Sequence, residues 1–298
     1  MAEFIYRLNI RNFSPGQLKK LRQAYTEMMQ RTDNYGFAHL AGFHGFPSWQ
    51  CWHHQTLGQE RGPRRGIRLF LPWHRAYLHQ FELALRDRSE EVALPWWDWR
   101  SEASFNEGFP QAFSEPLDAD NQANPLYGFH MRLDIPGRPL DRLTRRFGRP
   151  LNQLPYPDIP SGFNDTLEWL LSIESWREFS DRLQDVHDHM HGWIGGYKRD
   201  ANDVPLQEND QPATNVEQVI WGDMGDATIA AYDPIFFSHH AMVDRIWWLW
   251  QQRWGIENID PQLLDSILAP FNLTVREVLQ PNSLGYEYAY SAQDIEQE

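Results

Sequence analysis

Two pairs of histidines, far apart in the chain, limit most strongly what it can fold into. His187 and His191 stand four residues apart in WREFSDRLQDVHDHMH. On a helix that spacing stacks two imidazoles on one face, a turn apart. Phe179 and Leu183 continue the same row, so the face points into the interior. His239 and His240 follow two phenylalanines in DPIFFSHHAMVDRIW, where His240, Asp244 and Trp247 share a helical face. Near the other end, His44 lies in the turn-rich GFHGFP, His53 and His54 in CWHH, and His74 in FLPWHRAYLHQFE. Taken singly, each reads equally well as a buried histidine bonded to its neighbours, since buried polar groups need partners. Taken together, they give two groups of three, the arithmetic of a two-metal centre with three imidazoles per ion.

Residues from both ends must then meet, so the 298 residues are read as one domain, 1–298. Four main helices are expected. The first spans Ser14 to Gln30, with Ser14 as N-cap, Pro15 at the first helical position and Gln17 closing a capping box. Leu18, Leu21, Tyr25 and Met28 form its apolar stripe. The second runs from about Trp73 to Arg88, and the third through Trp176 to His191. The fourth begins near Asp233-Pro234. Residues 101–165 and 195–232, rich in Pro, Gly, Asn and Asp, read as long loops, which in a compact domain often cover a site. The fold class is mainly α: a four-helix bundle housing a two-metal centre, with long irregular loops.

With 27 basic against 41 acidic residues, the net charge of −14 argues against nucleic acid or an anionic membrane as partner. No run of eighteen apolar residues reads as a transmembrane helix. The start, MAEFIYRLNI, lacks the basic region and apolar stretch of a signal peptide, so a cytoplasmic location is expected unless a helper protein exports the chain. Cys51 is the single cysteine, which excludes an intrachain disulfide.

An imidazole-only donor set favours copper, nickel or zinc over hard cations. HExxH, the usual zinc-protease pattern, is absent, and no carboxylate stands where a di-iron bundle places its Glu-x-x-His pairs. Neutral imidazoles suit copper cycling between two oxidation states, with oxygen bound between two ions. Asp244, one turn from His240, reads either as a carboxylate orienting that imidazole or as the partner of a basic side chain.

These segments resemble the common central domain of tyrosinases and other type 3 copper proteins. VHDHMHGWIGG is similar to the family's HxxxH segment, and DPIFFSHHAMVDRIW to its D-P-x-F-aromatic-x-x-H-x-x-x-D pattern. FLPWHRAYLHQFE, GFHGFP, LPWWDW (Leu94 to Trp99) and GYEYAY (with Tyr286 and Tyr288) extend the likeness over nearly the whole chain. The resemblance implies one copper held by His44, His53 and His74 and a second by His187, His191 and His240. His239 is then a neighbour. The family usually has its second ligand nine residues before the third, where this chain has Arg65. His53 is therefore assigned with an insertion of about a dozen residues after it, His54 being the alternative. Cys51-Trp52-His53 resembles an element in which some members link cysteine to histidine by a thioether; a free Cys51 is the other reading.

The same resemblance implies roles for Glu178, where tyrosinases place a water-holding glutamate, and Asp188, where many have asparagine. Together they would help take a proton from a phenol; the alternative for either is a solvent-facing residue. Ala227 stands where the family varies a side chain above the site, and a small residue would leave the entrance open. No extra C-terminal domain is evident to plug it. The implied activity uses O2 to hydroxylate monophenols at the ortho position, to oxidise o-diphenols to o-quinones, or both. Small phenolic compounds would be the substrates, and a copper-delivery or export helper a partner. The rivals are a diphenol-only or o-aminophenol oxidase, a haemocyanin-like oxygen carrier, a hydrolase using another metal, and a helical binding protein.

Overall fold

The computed structural model describes residues 5–51, 69–87, 89, 91–150 and 163–290. Helix α1 (Pro15–Gln30) begins as its sequence dictates: the Gln17 amide donates to Ser14 Oγ at 3.2 Å and the Ser14 amide to Gln17 Oε1 at 2.9 Å. Leu21, Ala24, Tyr25 and Met28 are buried. After it come α2 (Phe37–His44) and α3 (Phe70–Arg86). Helix α3 starts three residues before the expected Trp73, with Pro72 in its first turn. Proline is harmless there, because the first amides of a helix have no internal acceptor.

The stretch expected as a long loop after residue 101 contains two short helices, α4 (Glu102–Glu107) and α5 (Gln111–Ser114). Next comes α6 (Phe163–Ser172), also unforeseen. Helix α7 (Trp176–Gly195) outruns the expected end by four residues and stops at Gly196, whose φ of 57° suits glycine. Helix α8 (Ile235–Trp254) begins where expected, its first amide bonded to Asp233 Oδ1 at 3.2 Å.

Strands are few. β1 (Ile5–Arg7) pairs in parallel with β6 (Tyr286–Tyr288), joining the two ends of the described chain. β2 (His130–Leu133) and β3 (Leu140–Leu143) form a hairpin, and β4 (Ile267–Leu268) pairs with β5 (Leu273–Thr274).

The architecture is mainly helical, with long connections around a core bundle, as expected. Its composition differs in one respect. Helix α3 packs against α8, α7 and α1, and α1 in turn against α2. The inner helices are α2, α3, α7 and α8, and α1 braces them from outside. The Tyr77 hydroxyl donates to the Leu40 carbonyl at 2.7 Å and fastens α2 to α3.

Below the histidines lies a sealed charge network. Asp244 accepts from Arg75 Nε at 2.6 Å, from the Tyr286 hydroxyl at 2.7 Å and from the Tyr288 hydroxyl at 2.6 Å. Arg7 donates to Glu82 at 2.9 Å and lies 3.5 Å over the Tyr286 ring. Every member is buried. Of the two readings of Asp244, the structure therefore takes the second, because Arg75 and the tyrosines occupy its oxygens. Among the described residues His240 Nδ1 has no hydrogen-bond partner.

Candidate metal centre

His187 and His191 project from α7, and His240 reaches them from α8. Their Nε2 atoms form a triangle: 2.9 Å from His191 to His187, and 3.2 Å from His240 to each of them. The other ring nitrogens decide what this triangle contains. His191 Nδ1 lies 2.9 Å from the Met224 carbonyl oxygen, which can only accept. The proton is therefore on Nδ1, and Nε2 of the neutral ring is a bare lone pair. His187 Nδ1 faces Asp188 Oδ1 at 2.9 Å, with the same consequence. Burial, opposed by the bond to Met224, holds His191 down at about 4, and burial also pushes His240 well below the usual histidine range, so both rings are neutral near pH 7.

The unprotonated Nε2 atoms of His187 and His191, 2.9 Å apart, repel unless a proton or a metal ion lies between them, and His240 Nε2 stands 3.2 Å from each. That spacing is close to the edge of a coordination shell with metal–nitrogen bonds of about 2.0 Å. The residues thus fit a metal ion, and an all-imidazole set fits copper.

The second group lies alongside. His74 Nδ1 donates to the Phe70 carbonyl at 2.8 Å, so its Nε2 carries no proton and can accept or ligate. The ligand atoms of His44, Cys51 and His74 all lie within 4.8 Å of one another, and all three residues are buried. Cys51 Sγ is 3.7 Å from His74 Nε2. His53, His54 and Arg65, on which the expected third ligand turns, lie outside the described residues. The two groups touch: the His74 and His240 rings are 4.3 Å apart and 12° from parallel.

Phenylalanines wall this double site. Phe70 packs on His74 and His187 at 4.7 and 4.8 Å, one ligand from each group. Phe236 packs on His44 at 4.8 Å and His240 at 4.1 Å, again one from each. Each stands four residues before a ligand, Phe70 before His74 and Phe236 before His240. This repeated F-x-x-x-H spacing is a signal the sequence carries for both walls of the site.

His44 ends α2, where a turn was expected. The chain then passes close beneath the loop that carries Ala227. A Cβ on Gly45 would come within 2.3 Å of the Thr228 carbonyl oxygen, and the Phe46 amide bonds to that oxygen at 3.0 Å. Ala227 itself is exposed.

The structure does not bring Glu178 and Asp188 together. Both line an open groove of about 460 Å³ on the solvent side of α7. On a continuous helix, ten residues separate them by about 15 Å along the axis. Glu178 is exposed in the first turn. Asp188 lies beside the site through His187, and partial burial, followed by the charge of Asp185, pushes its carboxyl up to about 6.

A family model described as "Common central domain of tyrosinase" matches residues 34–253. The chain is 27% identical over 290 residues to Hemocyanin type 2 unit e of Rapana venosa, spanning 95% of this chain and 62% of that protein. It is 27% identical over 251 residues to Hemocyanin, units G and H, of Sepia officinalis, spanning 84% of this chain and 38% of that one. In structure it is similar to a tyrosinase from Burkholderia thailandensis, with a TM-score of 0.73 and 22% identity, over 98% of this chain and 74% of that one. It is also similar to a functional unit of octopus hemocyanin, with a TM-score of 0.68 and 22% identity, over 98% and 72%. At this identity the likenesses speak for the fold. The family match covers well over half of the residues, and it falls on the helices that carry His44, His74, His187, His191 and His240: the chain belongs to the tyrosinase family, whose common central domain is of the type 3 copper kind.

Proposed function

We propose that the protein is a copper-dependent oxidase that uses O2 to hydroxylate monophenols, to oxidise o-diphenols to o-quinones, or both. The observation that carries this reading is the triangle of Nε2 atoms of His187, His191 and His240, set against a second histidine group through the stacked His74 and His240 rings. His187, His191 and His240 would hold one copper. His44 and His74 would hold the other with His53. Bound copper supplies the electron transfer that couples phenol oxidation to the reduction of dioxygen.

The chain supplies the rest. The Phe70 and Met224 carbonyls fix the tautomers and ring directions of His74 and His191. Phe70 and Phe236 keep water from the ligand rings and offer aromatic edges to a phenol. Asp188 orients His187 through Nδ1, and its half-exposed carboxylate is the acceptor for the hydroxyl proton of a monophenol. Glu178 stands too far along α7 to share that proton through one water.

A second reading, an oxygen carrier, is favoured by the hemocyanin relatives. Oxygen uptake by copper-loaded protein, against the metal-free form, separates the two. Uptake with a simple catechol supports the oxidase, and uptake with its monophenol adds hydroxylation. Reversible oxygen binding without turnover of either overturns the oxidase.

A further inference from the structure

The two stretches that the sequence marks as long loops meet beside His191. One supplies the β2–β3 hairpin, the other the segment 222–228. Backbone bonds hold the second stretch against the end of α7 as far as Gly222, whose amide donates to the Gly196 carbonyl at 3.0 Å. From Asp223 onward side chains take over. Arg142 of β3 donates to Asp223 through both arms of its guanidinium, at 2.7 and 2.8 Å, and the Arg145 amide adds a third bond at 2.6 Å. Asp223 is buried and Arg142 largely covered.

The residue after this clamp is the one that meets the site. Met224 is buried, and its carbonyl accepts from His191 Nδ1 at 2.9 Å. The clamped carboxylate and the accepting carbonyl thus belong to adjacent residues. A guanidinium–carboxylate pair joined by two bonds fixes direction as well as distance. The chemistry that depends on this carbonyl is all-or-none. A neutral imidazole carries one N–H, and the nitrogen that holds it cannot ligate. Once the carbonyl drifts from Nδ1, the proton is free to sit on Nε2, the nitrogen that faces His187 and His240.

We propose that Arg142 is a positioning residue: through Asp223 it holds the Met224 carbonyl on His191 and so keeps the metal-binding lone pair on Nε2. This rests on the reading of His191 as a metal ligand. The Arg142–Asp223 pair sets register more than strength, since a buried ion pair contributes little net stability over apolar packing. The Arg145–Glu208 pair, at 2.8 Å, joins the same two stretches on the exposed side and provides the control.

The test compares wild type with Arg142→Ala, Arg142→Lys and Glu208→Ala. Nitrogen NMR of histidine-labelled, metal-free protein reads the His191 tautomer, its resonances identified by their loss in His191→Ala. Wild type and Glu208→Ala should show the Nδ1–H form. Arg142→Ala should show a substantial share of Nε2–H, and Arg142→Lys, which keeps the charge without the fork, a smaller one. Zinc alone, competed against a chromophoric chelator, should bind the His187–His191–His240 site about tenfold more weakly in Arg142→Ala, with the other site unchanged. A His191 ring that keeps Nδ1–H in Arg142→Ala overturns the proposal. So does zinc affinity lost equally at both sites, which marks a general loosening, or left unchanged where His191→Ala abolishes it. If Arg142→Ala fails to fold, the tautomer in Arg142→Lys decides. Zinc unaffected by His191→Ala overturns the ligand reading instead, and the metal-free tautomer still judges the clamp.

Discussion

The His74 and His240 rings lie 4.3 Å apart and 12° from parallel, although 166 positions separate them in the chain. One belongs to each ligand group, so α3 and α8 cannot shift independently without disturbing both. The packing of α3 on α8 thus couples the two ligand groups, which four helices supply.

Loss of a ligand should therefore be felt as stoichiometry first. His191→Ala should bind one copper per chain where the wild type binds two, as measured by metal analysis after dialysis. Oxygen consumption with a catechol should fall by at least about a thousandfold, as expected when an all-or-none centre loses one ion. Two bound coppers and full activity would sink the assignment.

Gly45 tests the first group alone. Its missing Cβ lets the end of α2 approach Thr228, so Gly45→Ala should push His44 away from His74. We expect copper to fall toward one ion per chain, with helical content kept. Circular dichroism and metal analysis together check this, and two tightly held ions would contradict it.

Asp244 holds the helices rather than a ligand. Asp244→Ala leaves Arg75 and two tyrosine hydroxyls buried without their acceptor, and breaking a buried charged network costs about 3–5 kcal/mol. Denaturant unfolding should show that loss. At low temperature the folded variant should still bind two coppers; a selective loss of the second would restore a direct role toward His240.

The two carboxylates proposed for phenol chemistry should separate cleanly. Asp188→Asn keeps an acceptor for His187 Nδ1 but removes the base, so catechol oxidation should stay within about threefold while monophenol hydroxylation drops by about 100-fold, the usual scale for a proton-transfer group. Glu178→Gln should change neither rate by more than about twofold. Equal losses in both variants would mean that the two act together after all.

What could be read from the sequence was what depends on local pattern. The capping box of Ser14 and Gln17, the four-residue step from His187 to His191 and the Asp233 cap all rest on neighbours within one turn. Helix α2 escaped because Gly42 and the turn-like GFHGFP mask eight residues whose helicity comes from packing on α3. The partners of Asp244 escaped because Arg7 and Arg75 lie 237 and 169 positions away. Glu178 and Asp188 were paired by the family resemblance, which says nothing of the unbroken course of α7 that carries them apart. The polar character of His239 was plain, yet only the buried surroundings showed that its ring nitrogens have no hydrogen-bond partner among the described residues.

Tyr288 is made long after Arg7, 281 positions later, and at about 5–20 residues per second that is roughly a quarter of a minute to a minute of synthesis. Until β6 slots beside β1, the acceptor on α8 has Arg75 of α3 but lacks its two hydroxyl donors. The nascent chain thus carries His44 and His74 for most of its manufacture without a finished cradle, and the finishing stroke comes from a strand of three residues, Tyr286–Tyr288.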